Sequence, residues 1–148
     1  MKWWQENPKL LSEIMEQLSA FYPELSVHED NGKIYVIGRW NVYAESEYID
    51  NYSLRIELPG DYPQSVPKIW ETSYKLKKNQ DTHFNPPDNH ACLFAPPERW
   101  EKWPIGASFI EFLDGPVTEF FFSQAYYQLT GEWIFGQRSH GDDGIIEY

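Results

Sequence analysis

The chain predicts an α/β fold of the segregated α+β kind: an N-terminal helix, a four-stranded antiparallel meander, an irregular loop that carries the chemistry, and C-terminal helices. Three observations predict it. Apolar residues recur at three- and four-residue steps over Pro8–Phe21, the spacing of one helical face. They then alternate with polar ones, most cleanly over residues 50–59, as in a strand with one buried face. Finally, residues 79–104 hold five prolines and little periodicity, which excludes an ordinary helix or central strand.

The helical face over Pro8–Phe21 is Leu10, Leu11, Ile14, Met15, Leu18 and Phe21, opposite Glu13, Glu16 and Gln17. Asn7 followed by Pro8 reads as an N-cap with proline at the first helical position, and Tyr22-Pro23 stops the helix. Ahead of it, Trp3 and Trp4 have two readings: an exposed interaction patch, or rings folded back on the sheet. A short strand over residues 25–29 leads to the Asp30-Asn31-Gly32 turn signal. Residues 33–43 form the second strand, rich in β-branched and aromatic side chains. Residues 50–59 form the third, with Tyr52, Leu54, Ile56 and Leu58 facing away from Ser53, Arg55 and Glu57; residues 67–71 form the fourth. Helical spacing returns over residues 107–122 through Ile110, Phe112, Leu113, Val117, Phe120 and Phe121, with Gly115-Pro116 placed to kink or split the helix. Phe120, Phe121 and Phe122 read as core. A further short helix is predicted over residues 123–129, ended by Gly131, and the rest reads as a loop or tail.

Composition bounds the function. Seven Trp, ten Tyr and nine Phe in 148 residues supply enough apolar surface to exclude disorder for most of the chain, and the length suits one domain over residues 1–148. Twelve basic against 23 acidic residues give a net charge of −11, which argues against nucleic acid as a partner. No apolar run approaches the roughly 20 residues of a membrane span, and the start lacks the apolar region of a signal peptide. The single cysteine, Cys92, excludes an internal disulfide and suits a reducing compartment, so a soluble cytoplasmic protein is expected.

The irregular 26-residue segment holds that cysteine together with His83 and His90. Long irregular loops inside small domains are commonly functional. Four readings of Cys92 stand side by side. A thiolate attacks activated carbonyls, and the thioester it forms is a good acyl donor to amines; Asn85 would then supply an oxyanion donor or brace the loop. A zinc site would recruit His83, His90, Cys92 and His140, although the spacing matches no paired-ligand pattern. A hydrolase would pair Cys92 with His90 or His140. The fourth is a buried structural cysteine. His28 reads as a structural hydrogen-bonder.

The same residues resemble the ubiquitin-conjugating enzymes, whose fold is called UBC, and specifically their divergent bacterial relatives. Tyr52-Ser-Leu-Arg-Ile-Glu-Leu-Pro59, then Asp61-Tyr62-Pro63 and Val66-Pro67-Lys68-Ile69, resemble the family's third strand, its Tyr-Pro turn and its next strand entry. His83-Phe84-Asn85 stands where the family has His-Pro-Asn, Cys92-Leu93 where it has its active-site Cys-Leu, and Trp100 where a tryptophan follows. Residues 104–122 resemble the loop and helix after the cysteine. The resemblance covers residues 8–122. The divergent segment 123–148, with Gly131-Glu-Trp-Ile-Phe-Gly136, resembles tails of bacterial homologues encoded in antiphage operons, including short CBASS systems beside a cGAS-like nucleotidyltransferase.

The resemblance implies a conjugating-type acyltransferase with no cofactor and no metal. Cys92 would accept a protein C-terminus as a thioester from an upstream adenylating (activating) enzyme or its equivalent, then pass it to an amine. The acyl protein would be a ubiquitin-like protein or a cGAS-like nucleotidyltransferase. Asn85 would be catalytic, His83 would hydrogen-bond within its own loop, and Trp100 and Trp103 would support the loop from below. Phe84 in place of the family's proline departs from the pattern, as does a His-to-Cys spacing one residue short. No acidic gate residue follows the second helix, so His90, His140, Asp88, Asp142 and Asp143 remain candidates for handling the amine. The alternative is a catalytically inactive binding or scaffold module on the same fold.

Overall fold

Asn7 and Pro8 open the first long helix for the reasons the sequence gives: proline has no N–H to leave unpaired, and the Asn7 side chain accepts from Leu10 N at 3.2 Å. The structure is a computed structural model. It describes residues 2–79, 82–85, 87–93, 103–104 and 106–133. In chain order the elements are α1 (Trp3–Glu6), α2 (Pro8–Phe21), β1 (Leu25–Asp30), β2 (Lys33–Ala44), β3 (Glu47–Leu58) and β4 (Lys68–Glu71). After these come β5 (Phe84–Asn85), β6 (His90–Ala91), α3 (Phe109–Phe112), a π turn (Leu113–Val117) and α4 (Thr118–Thr130). The fold is thus α+β, with a four-stranded antiparallel sheet in the order β1-β2-β3-β4 and C-terminal helices. None of the described helices is long and apolar enough to cross a membrane.

The chain packs as two compact units. One takes the described residues up to Trp40 together with Tyr52–Ser73; the other takes Asn41–Asn51 together with the described residues from Tyr74 on. In the first unit β1 pairs with β2 from Leu25↔Gly38 to Asp30↔Lys33, and β3 pairs with β4 from Leu54↔Glu71 to Glu57↔Lys68. Leu25, Ile34, Val36, Leu54, Ile56, Leu58 and Ile69 are buried. Arg55, on the exposed phase of β3, lays its guanidinium over the Tyr35 and Trp70 rings at 5.3 and 4.7 Å. Trp3 and Trp4 are buried, so they form no exposed patch. The Trp3 ring lies 5.1 Å from Tyr62, whose phenol is pushed up by burial. Their burial has a counterpart on α2. Ile14 and Leu18 are buried, while Met15 and Phe21, assigned to the same apolar face, are 49% and 68% exposed.

The second unit holds the tip of the β2–β3 hairpin, where Tyr43 and Tyr48 meet edge to face at 6.1 Å. Pairing reaches back to Glu47, three residues before the expected strand start. The loop is only Glu45-Ser46, and Glu45 takes the positive φ (59°) that such a tight turn needs. Ser108 caps α3 reciprocally with Glu111: the Glu111 N–H donates to Ser108 Oγ at 3.2 Å, and Ser108 N–H donates to Glu111 Oε2 at 2.7 Å. The two helices expected on either side of residue 122 are one continuous helical run from Phe109 to Thr130, with Gly115-Pro116 inside it in a π turn. Pro116 lacks the N–H that an α-helix would use there. The chain widens into a π turn instead, and Leu113 O accepts both the Thr118 N–H and, at 2.7 Å, the Thr118 hydroxyl. Phe120 and Phe121 are buried as expected, while Phe122 is half-buried.

Among the described glycines Gly38 meets the closest backbone: a Cβ there would sit 2.0 Å from Glu24 O. Gly38→Ala is expected to lower unfolding stability by about 1–3 kcal/mol, the usual cost of overpacking. A shifted urea midpoint with an unchanged slope would show it.

Candidate active site

The sequence predicted no regular structure over residues 79–104, yet a small antiparallel ribbon forms there. β5 and β6 pair Phe84↔Ala91 and Asn85↔His90. The Asn85-Pro-Pro-Asp-Asn-His90 run explains both its presence and its brevity. Prolines cannot donate to a ladder, so pairing stops at Asn85. Asn89 then adopts φ +62, a conformation asparagine tolerates, and its N–H closes the turn on Asn85 O at 2.8 Å.

Side chains alternate across a strand, and that alternation sorts the ribbon. Phe84 is fully buried and Ala91 is 6% exposed, while Asn85, His90 and Cys92 are half-buried on the opposite phase. The Phe84 ring meets Phe120 of α4 at 5.5 Å, perpendicular to it. Cys92 lies one residue beyond β6 and is still held to the opposite strand, its N–H donating to His83 O at 2.8 Å. Continuing the β6 alternation by one residue places Cys92 diagonally across from Asn85 on its face, a relation that spans roughly 7–8 Å in antiparallel pairs. Asp88, in the turn, accepts at Oδ1 both the His90 backbone N–H (3.3 Å) and the His90 ring Nδ1–H (2.6 Å).

His83 directly precedes β5. Its φ is +68, and its ring packs edge to face on Trp133 at 4.4 Å. Trp133 in turn stacks on Tyr127 of α4 at 4.1 Å. Just before it, Thr82 and Asn79 bond reciprocally: Asn79 N–H donates to Thr82 Oγ1 (3.0 Å) and Thr82 N–H to Asn79 Oδ1 (3.1 Å). The buried Gln124 amide of α4 donates to Thr82 O at 2.7 Å. The Cys92 loop is thus tied to α4 by one apolar contact, one aromatic stack and one buried hydrogen bond.

Of the residues singled out in the sequence, Cys92, Asn85, His83 and His90 come together in this ribbon, and Asp88 joins them through His90. Trp103 is buried, packs on Phe112 at 5.2 Å and donates its indole N–H to Ser108 O. Trp100, His140, Asp142 and Asp143 lie outside the described residues. His28 hydrogen-bonds Ser26 on β1 at 2.9 Å, as a structural histidine does. Among the described residues no three His, Cys, Asp or Glu side chains gather as a metal-holding group. Family models, curated proteins and solved structures give no match to this chain.

The sequence reading missed Gln124, Tyr127 and Trp133. Gln124 could have been found, because a lone amide on a helical face of Phe120, Phe121 and Ala125 is a buried polar group that needs a partner. Trp133 gave no such signal, since it follows the helix and its stack depends on where the chain turns after Gly131. Chemically, the ribbon presents a thiol, an amide and a carboxylate-held imidazole on one side of a short, backbone-locked frame.

Gln124→Leu removes the donor to Thr82 O and is expected to destabilise by about 1–3 kcal/mol. The Cys92 amide, one bonded pair away, should exchange its hydrogen faster in that variant. Unchanged exchange at Cys92 would show that the α4 tie does not hold the loop.

Proposed function

We propose that this chain is a ubiquitin-conjugating-like acyltransferase that carries a protein C-terminus as a thioester on Cys92 and transfers it to an amine. The observation that carries the reading is the shared ribbon face of Cys92 and Asn85. An acyl group on Sγ needs an oxyanion donor a few ångströms to one side, and a diagonal neighbour supplies that offset. The order of elements supports it too: a helix, a four-stranded antiparallel sheet, a cysteine-bearing ribbon and a closing helix follow one another as in the family the sequence resembles. Phe84, in place of that family's proline, anchors the ribbon in the core and leaves its neighbours Asn85 and Cys92 on the outer phase. The finer reading is that the chain has a UBC fold and serves bacterial antiphage defence. A cGAS-like nucleotidyltransferase or a ubiquitin-like protein would supply the acyl group, and an activating enzyme would charge Cys92.

Incubation with the activating enzyme, the acyl protein and ATP should give an adduct cleaved by thiols. Cys92→Ser should convert it to a more stable oxyester and Cys92→Ala should abolish it. An adduct that persists in Cys92→Ala removes the thioester mechanism. In a binding module of the same fold, by contrast, Cys92→Ala would leave cellular function intact.

Asn85→Ala should slow discharge of the preformed thioester by about 10²–10³, because the oxyanion exists only near the transition state. Melting temperature should change little. Unchanged discharge at unchanged stability would take Asn85 out of the mechanism.

A further inference from the structure

We infer that His90, oriented by Asp88, is the general base that takes the proton from the amine attacking the Cys92 thioester. The inference rests on the thioester reading of Cys92 and assigns a role which that reading leaves empty. Two features of the ribbon carry it.

The first is the dyad itself. Asp88 Oδ1 accepts the His90 ring Nδ1–H at 2.6 Å, and the same oxygen accepts the His90 backbone N–H at 3.3 Å. Side chain and backbone are therefore held to one carboxylate. With Nδ1 carrying the proton, Nε2 keeps its lone pair, which is the tautomer a base requires. Both side chains keep solvent contact, at 25% and 39% exposure, so an amine from another molecule can reach the ring.

The second is spacing. His90 and Cys92 are two residues apart on the same phase of β6 and its continuation, which separates their backbones by roughly 6–7 Å. A base for the thiol itself must come within about 3 Å of Sγ. A base for the amine stands further out: the attacking nitrogen approaches the carbonyl carbon from about 3 Å, above the plane of the thioester, and the base lies about 3 Å beyond that. One strand repeat matches the second requirement. This favours aminolysis over the hydrolase-type Cys–His pair.

The step balances as follows. The amine nitrogen attacks the thioester carbon and forms the C–N bond, giving a tetrahedral intermediate whose oxyanion faces Asn85. Nε2 of His90 removes one proton from the nitrogen. The intermediate collapses, the C–S bond breaks with its electron pair leaving on Cys92 Sγ, and the imidazolium returns the proton to that thiolate. The products are an amide and the Cys92 thiol. Asp88 touches no reacting atom and is a positioning residue.

The test needs no protein partner. Cys92 is acetylated by exchange with an acetyl aryl thioester, excess reagent is removed, and ethylamine is added. Amide formation is followed by release of the acetyl group from the intact protein in a mass spectrum. His90→Gln is expected to slow aminolysis by about 10², the lower end of general-base effects. His90→Gly should be slow as well, and added imidazole should accelerate it more than it accelerates the wild type. Asp88→Asn should slow the reaction and add no further loss in the His90→Gln background, because it acts through the ring. Equal aminolysis by wild type and His90→Gln overturns the assignment, as does an additive loss in the double variant. The protein-adduct assay with Cys92→Ala decides the conjugation reading separately, so the failure of one is distinguishable from the failure of the other.

Discussion

The burial of one ring, Phe84, sets the direction of every functional side chain in the Cys92 ribbon. In an antiparallel pair a residue and its neighbours point to opposite faces, so fixing one fixes all. With Phe84 packed on Phe120 and Ala91 beside it, Asn85, His90 and Cys92 have to lie on the other phase. A slip of one residue would bury the thiol and expose the phenyl ring, a poor exchange in both directions. At this position a phenylalanine does more than fill a gap, because it locks the register on which the chemistry depends.

The ribbon is short, and most of its support comes from outside it. Two paired residues on each strand cannot hold themselves together in water. α4 supplies what is missing, through Phe120 under the ribbon, Gln124 on Thr82 O, and Tyr127 through Trp133 on His83. These contacts need α4 to hold one phase over about two turns, from Phe120 to Tyr127. The π turn absorbs the proline upstream of α4, so all three contacts fall on regular helical turns.

The thiol, the amide and the imidazole all belong to one stretch of chain, from Asn85 to Cys92. Their separations therefore follow backbone repeats more than distant packing. That economy has a consequence for the acidic surplus of the chain. With a net charge of −11, an incoming cationic amine is drawn to the surface in general, and a nearby carboxylate such as Asp88 is better employed orienting His90 than attracting substrate.

By itself the sequence determined the parts whose cause is local. Pro8–Phe21 is the helix its spacing and cap predict, the meander runs β1 to β4 in chain order, and Cys92 lies with Asn85, His83 and His90 in the irregular segment. Periodicity and turn chemistry act over a few residues, so they can be read from a few residues. Tertiary structure alone decided the rest. It buried Trp3 and Trp4 while leaving Met15 and Phe21 in solvent, because an amphipathic face says which side is apolar but not which neighbour arrives to cover it. It ran the two expected helices together across residue 122 and carried Pro116 in a π turn, because helix length is set more by tertiary packing than by local propensity. It stacked Trp133 on His83, because the chain after Gly131 brings together groups whose sequence separation carries no period. Contacts of that kind have no local signal, and the site's geometry is made of them.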